Sequence, residues 1–291
     1  MTANIVQMTG ISKRYASQQV LRGLDWNIGA GKVVGLLGRN GAGKSTLLEC
    51  MLGLRETEGG SITLLGEPAT QLSDAARARI GYVPQKPELF EWLTPPQMLE
   101  YFKAMYPRWN TAKVDALLQR WGFTPAMLGR AIGQMSVGEK QRLSIIRALA
   151  HDPEILVLDE PVSSLDPAGR RDFLRELVSG VIERDTTVIF STHILSDLER
   201  IAMDVAFLKD GKIGLQAPLD ELLENARRIT GPAENFHALK LHGEISRGTD
   251  AAGNISIIAQ TDVQDLASLH AQSALRVEAI GLEDLFVEVT Q

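Results

Sequence analysis

Eight consecutive residues, Gly38-Arg39-Asn40-Gly41-Ala42-Gly43-Lys44-Ser45, carry the clearest chemical signal in the sequence. Their spacing, G-x-x-x-x-G-K-S, is that of a loop built to grip phosphate. Glycines let the backbone turn sharply and align successive N–H groups into a nest for anionic oxygens. A helix expected from Thr46 would aim the positive end of its dipole at the same point. Gly38, Asn40, Gly41, Ala42 and Gly43 are therefore expected to wrap a phosphate chain, with Thr46 at the helix mouth. Lys44 should reach the β- and γ-phosphates, and the Ser45 hydroxyl should ligate Mg²⁺.

A second signal lies farther along. Ile155-Leu156-Val157-Leu158-Asp159-Glu160 is an apolar strand that ends in two carboxylates. Desolvated carboxylates are costly unless they are paired or bound to metal. Asp159 suits the Mg²⁺ shell, and Glu160 suits polarisation of an attacking water as general base.

These residues need elements to hold them. Val33 to Leu37, Ile80 to Val83, Ile155 to Leu158, Thr187 to Ser191 and Val205 to Leu208 read as buried strands. Helical spacing recurs between them, at Val114, Leu117, Leu118 and Trp121, and again at Phe173, Leu177 and Val181. Asp166-Pro167 is a good helix start, a capping carboxylate followed by a proline whose missing N–H costs nothing there. Strands alternating with helices predict an α/β fold with a mainly parallel sheet. From about Lys86 to Gly133 the pattern is helical, with aromatics and no strand. After Gly211 it changes again. Gly231-Pro232 marks a break, Leu239 and Leu241 alternate, and Gly248 to Gly253 is rich in turn residues. A strand at Ile255 to Ala259, a helical run near Val263 to Leu269, a strand near Leu275 to Ile280 and a helix from Leu282 predict a small α+β appendage.

The chain has 291 residues, a formal net charge of −6 and one cysteine, Cys50. The acidic balance argues against nucleic acid as the main partner and against unaided attachment to an anionic membrane. One cysteine forms no intramolecular disulfide, and the apolar neighbours of Cys50 mark it as a buried filler. No signal pattern opens the sequence and no uncharged apolar run reaches membrane-spanning length.

The order of these motifs resembles the ATP-binding subunit of ATP-binding cassette transporters, from about Ile5 to Leu215. The resemblance implies a phosphate-loop cassette at residues 1–215 with a helical subdomain at about 86–150, and an accessory domain at 216–291. It implies Mg–ATP as the bound nucleotide and hydrolysis as the activity. Gln85, in Tyr82-Val83-Pro84-Gln85, would touch Mg²⁺ and its water and relay nucleotide state to the helical part. His193, after Thr192, would contact the γ-phosphate, and Tyr15 would stack on adenine.

Met135-Ser136-Val137-Gly138-Glu139 is similar to the family signature Leu-Ser-Gly-Gly-Gln. Ser136 and Gly138 would form a second anion site at a helix start. The family resolves two phosphate sites and one metal site per chain by pairing two cassettes head to tail, with Asp166 of Ser164-Leu165-Asp166 at the crossing. Val137 departs from a glycine and Glu139 from a glutamine. The resemblance further implies a homodimer or paired second cassette, a separate integral-membrane permease, and a cytoplasmic location on the inner membrane face through that permease.

Phe90, Trp92, Tyr101, Phe102, Tyr106 and Trp109 are expected to divide between local core and a permease-gripping patch. Tyr106-Pro107-Arg108-Trp109-Asn110 and the ending Gly281-Leu282-Glu283-Asp284-Leu285-Phe286 resemble bacterial export-type cassettes. Two alternatives stay open: a soluble repair or translation ATPase, against which stand the acidic charge and the lack of a coiled-coil or zinc insertion, and a non-hydrolysing regulatory module.

Overall fold

Short strands rich in Val, Ile and Leu need cover on both faces, and the fold supplies it. The computed structural model describes residues 4–236, 241, 243–249, 253–261, 269 and 274–290, with the side chains of 180–183 and 197 outside that description. The first ten strands are β1 (Asn4–Tyr15), β2 (Gln18–Gly29), β3 (Val33–Leu37), β4 (Gly59–Leu64), β5 (Glu67–Pro68), β6 (Ile80–Val83), β7 (Ile155–Asp159), β8 (Thr187–Thr192), β9 (Asp204–Lys209) and β10 (Lys212–Pro218). Six of them form one sheet in the order β10-β9-β3-β8-β7-β6. Every pairing from β9 to β6 is parallel, and only β10 lies antiparallel. This is the predicted α/β architecture.

Alternation along the strands divides the core. Val34, Leu36, Ile155, Val157, Ile189, Ala206 and Leu208 face a cluster shared with β1, β2 and the helix Lys44–Met51. Val33, Leu37, Leu156, Leu158, Val188, Phe190, Val205 and Phe207 face the other way, into a cluster that includes the helical segment. Strand order places the ends of β3, β7 and β8 side by side, at the edge where sheets of this kind hold ligands.

A second, antiparallel sheet, β2-β1-β4-β5, covers the first face. Sequence reading did not anticipate it. Its two long strands pair with register shifts between Met8 and Ile11 and between Lys13 and Arg14, and a bulge interrupts the period-two signal that marks a strand.

The helical segment lies between β6 and β7. It comprises Pro95–Lys103, Thr111–Arg120, Pro125–Leu128 and Val137–Leu149. All four helices start on a hydroxyl or amide: the Thr124 and Asn110 side chains accept N–H bonds, and Thr94 with Gln97 and Ser136 with Glu139 form capping boxes. Asp166 Oδ1 accepts the Gly169 N–H at 2.6 Å and starts the helix Pro167–Arg184 as expected.

The expected boundary at 215/216 falls within β10. Beyond it come the helix Leu219–Asn225 and a four-stranded antiparallel sheet. That sheet consists of β11 (Ala226–Gly231), β12 (Glu244–Thr249), β13 (Ile255–Gln260) and β14 (Arg276–Ala279), in the order β12-β13-β11-β14. The helix Leu282–Thr290 buries Leu282, Leu285 and Val289 back against the main core. The expected helical run near Val263 to Leu269 and the position of Leu239 lie outside the described residues, apart from buried Leu269.

Candidate functional site

At the end of β3 the chain turns through Gly41 at φ 81° and Gly43 at φ 102°, both in the left-handed region that glycine tolerates. Gly43 is the N-cap of Lys44–Met51 and offers no side chain to claim the N–H groups of the first turn. Those amides have no partner within a helix and remain available to an anion. Lys44 is 6% exposed, and its ammonium turns inward. It donates to the Gly38 carbonyl at 2.8 Å and the Arg39 carbonyl at 3.4 Å, and lies 3.6 Å from Glu160 Oε1.

Glu160 is the convergence point. Its other oxygen, Oε2, lies 3.3 Å from His193 Nδ1 and accepts the Gln85 amide N–H at 3.5 Å. The residue has φ 46°, a strained conformation for a side chain of this kind. That backbone is held by Ser191, whose Oγ accepts the Glu160 N–H at 2.9 Å and donates to Asp159 Oδ1 at 2.5 Å. Sequence reading missed Ser191. The signal for it is faint, a hydroxyl two residues before His193 at the tip of a buried strand.

Asp159 is 2% exposed. Burial raises its carboxyl above the usual range, against the downward pull of hydrogen bonds from Ser191 and Ser45. A buried carboxylate that accepts a hydrogen bond from the Ser45 hydroxyl is a hard-oxygen donor pair, which fits Mg²⁺. These residues would hold the ion between loop and strand, where it would neutralise developing phosphate charge.

A cavity of about 470 Å³ collects Tyr15, Asn40, Gly41, Gly43, Lys44, Ser45, Thr46, Gln85, Glu160 and His193, with Gln18 and Val20. Gly38 backs the loop against β9, where a Cβ would meet the Leu208 carbonyl at 2.9 Å. Tyr15 is 39% exposed at the end of β1, with cationic groups of Lys13 and Arg55 at 5.6 and 5.4 Å from its ring centre. Ala42 lines the neighbouring cavity beside Arg39 and Asn40.

Ser136, Gly138 and Asp166 are not in the lining of the Lys44 cavity. Ser136 caps the helix Val137–Leu149 in a reciprocal capping box with Glu139: Glu139 N donates to Ser136 Oγ at 3.3 Å, and Ser136 N to Glu139 Oε2 at 2.7 Å. Arg130 also binds Glu139 Oε2, at 2.7 Å. Burial opposes the Glu139 charge, but the bonds from Ser136 and the Arg130 guanidinium outweigh it and hold its carboxyl below the usual range. Val137 is 62% exposed. A Cβ on Gly138 would lie 2.9 Å from the Ser164 carbonyl, so this glycine lets the helix start touch the segment leading to Asp166. Gln141 Nε2 donates to the Pro161 carbonyl at 3.2 Å, a second tie that sequence reading did not find.

Phe90, Phe102 and Trp109 are partly buried against the core rather than within it, so fewer of the aromatics are core than expected. Phe90 packs against Trp92, Tyr101 and Phe102 at centroid distances of 5.4, 5.2 and 5.9 Å. Trp92, Tyr101 and Met105 are exposed, so the cluster reaches the surface. No helix among the described residues is long and apolar enough to cross a membrane.

The family model described as "ABC transporter" matches residues 21–163. The chain is 36% identical to the ATP-binding protein YxlF of Bacillus subtilis, described as an uncharacterised ABC transporter component, over 98% of this chain and 99% of the relative. It is 31% identical to Nod factor export ATP-binding protein I of Burkholderia orbicola, over 100% of this chain and 98% of the relative. A solved structure described as an ATP-binding subunit of an ABC transporter superposes with TM-score 0.69 at 27% identity, covering 76% of this chain and 92% of that one.

Proposed function

The chain belongs to the ATP-binding subunits of ABC transporters, whose general activity is ATP hydrolysis, and on that premise we propose that it couples Mg–ATP turnover to export through a separate membrane permease. One observation carries the reading: Lys44, Gln85, Glu160 and His193 meet at one cavity. The acceptors now around the Lys44 ammonium are two carbonyls and a carboxylate; phosphate oxygens compete for it as stronger partners. Its release from Glu160 would free that carboxylate to orient and deprotonate water, with His193 and Gln85 steadying the group. Asp159, Ser45 and Gln85 would hold Mg²⁺, and Tyr15 would stack on adenine. Such catalysis is mostly positioning and electrostatics.

Ser136 and Gly138 of a second cassette would close the site. A two-fold pairing gives each cavity the helix start that it lacks. The exposed Trp92, Tyr101 and Met105 patch suits the permease, and the complex would then lie at the inner face of the plasma membrane. The direction of transport draws support from the export-type relative.

Calorimetric titration with Mg–ATP tests the site. Saturable heat is expected for the wild type and none for Lys44→Ala, and equal heats from the two proteins would sink the reading. For the partner, a membrane protein should co-purify from detergent-solubilised membranes, and the Trp92→Glu/Tyr101→Glu double variant should lose it.

A further inference from the structure

Strand β6 is the open edge of the main sheet and leads through Val83 and Pro84 to Gln85. Alternate residues of a strand point their carbonyls the same way, so Ile80 and Tyr82 present theirs to the side that no strand covers. The end of the signature helix takes both. Arg147 Nη2 donates to the Tyr82 carbonyl at 3.0 Å, and His151 Nε2 bonds the Ile80 carbonyl at 3.1 Å. Gly81, between them, makes the approach possible: a Cβ there would lie 2.6 Å from the Ala148 carbonyl.

The same two side chains face the aromatic patch. The Arg147 guanidinium lies 4.9 Å from the Phe102 ring centre, and the His151 ring stacks on Tyr106 at 4.1 Å. No salt bridge to Arg147 is found among the described residues, although its Nε is buried without a hydrogen-bond partner. A buried cation spent on one carbonyl and one ring is an expensive way to fill space, and points to a role in placement.

We propose that Arg147 and His151 are positioning residues: they clasp the Phe102–Tyr106 side of the helical subdomain to β6, so that displacement of the patch moves Gln85 relative to Glu160. Ring, guanidinium, carbonyl and a short strand run directly into Pro84, whose restricted backbone carries the shift onward. This inference rests on the proposed ATPase reading of the Gln85–Glu160 contact.

A double-mutant cycle on the intact chain tests it, with steady-state Mg–ATP hydrolysis as the readout. Arg147→Met is expected to lower kcat about fivefold with KM within about twofold, because the Lys44 cradle is untouched. In a Gln85→Ala background the same substitution should cost less than about twofold. Phe102→Leu, which thins the ring under Arg147, should behave likewise with a smaller fall. If Arg147→Met fails to fold, Arg147→Lys replaces it, since it keeps the buried charge and removes the planar contact with Phe102.

Effects that multiply with Gln85→Ala would show a purely structural role and overturn the proposal, as would an unchanged kcat in Gln85→Ala itself. Glu160→Gln separates the two levels. If that variant hydrolyses ATP like the wild type, the catalytic reading fails; if it is inactive while the cycle is additive, only the clasp fails.

Discussion

The cavity around Lys44 and the start of the signature helix are both proposed as anion sites, yet they are built on opposite plans. At the first, a buried cation, two carboxylates, an amide and an imidazole crowd together, and Glu160 takes a strained backbone to reach them. At the second, the carboxylate is already matched: Glu139 serves Ser136 and Arg130, while Ser136 and Val137 face solvent. One site is poised for rearrangement and the other is a finished surface. On the proposed reading the contrast teaches that chemistry belongs to the first, while the second would supply shape and dipole to a neighbour.

The strongest way to break this comparison is Glu160→Gln. General bases of this kind are worth roughly 10³ in rate, about 4 kcal/mol of barrier. Hydrolysis should fall by that order while Mg–ATP binding is kept, because Lys44 loses an electrostatic competitor for the phosphates. A variant that hydrolyses within about tenfold of the wild type would place the base elsewhere.

Next in size is the far end of the signature helix, where His151 is 1% exposed. Burial pushes its imidazole down to about 4; the bond to Ile80 and Asp152 oppose this, while Arg147 and Arg108 add to it. A base with a depressed folded-state pKa binds fewer protons folded than unfolded in the window between about 4 and 6.5. Its contribution is therefore complete above that window and lost as pH falls through it, on the order of 2 kcal/mol between pH 7 and 5. Melting temperature followed across that interval should drop less steeply in His151→Gln, and parallel curves would show that the imidazole already protonates in the folded state.

These two groups were unequally legible. Glu160 was readable because an apolar run ending in carboxylates is rare, although its partners Lys44, Gln85 and His193 lie far from it in the chain. His151 carried no such mark, and its partners Ile80 and Tyr106 lie 71 and 45 residues away. The same distinction explains the fold. Buried parallel strands such as β3 and β7 announce themselves as continuous apolar runs, whereas β1 and β2 alternate and are broken by register shifts. In the appendage, strand order depends on pairings such as β11 with both β13 and β14, which local pattern does not encode.

Smaller effects test the finished surface. Ser136→Ala removes the cap acceptor and should cost about 1 kcal/mol of stability. If the helix start serves a partner's phosphate, hydrolysis should also fall about tenfold, with Mg–ATP binding to the single chain unchanged. A loss of binding in the monomer would mean that Ser136 belongs to its own chain's site.

The finest test restores the family residue, Glu139→Gln. The amide oxygen can still accept the Ser136 N–H and preserve the capping box, but the ion pair to Arg130 is lost. Both partners are partly exposed, so the stability change should be under about 1 kcal/mol. Its sign with pH is fixed: a carboxyl held below its usual range stabilises the fold when ionised, and that contribution fades as pH falls through the carboxylate range. The gap in melting temperature between wild type and variant should therefore be present at pH 7 and close in acid. Pairing should move the other way. Removing a negative charge beside the second anion site leaves Arg130 free to attract phosphate, so the ATP concentration for half-maximal hydrolysis should fall about two- to threefold. A variant that is less stable at pH 7 yet pairs more readily would show that Glu139 was tuned for the fold of its own chain at a cost to its neighbour's ATP. Equal half-maximal concentrations would show instead that Arg130 already cancels the carboxylate where the phosphate arrives.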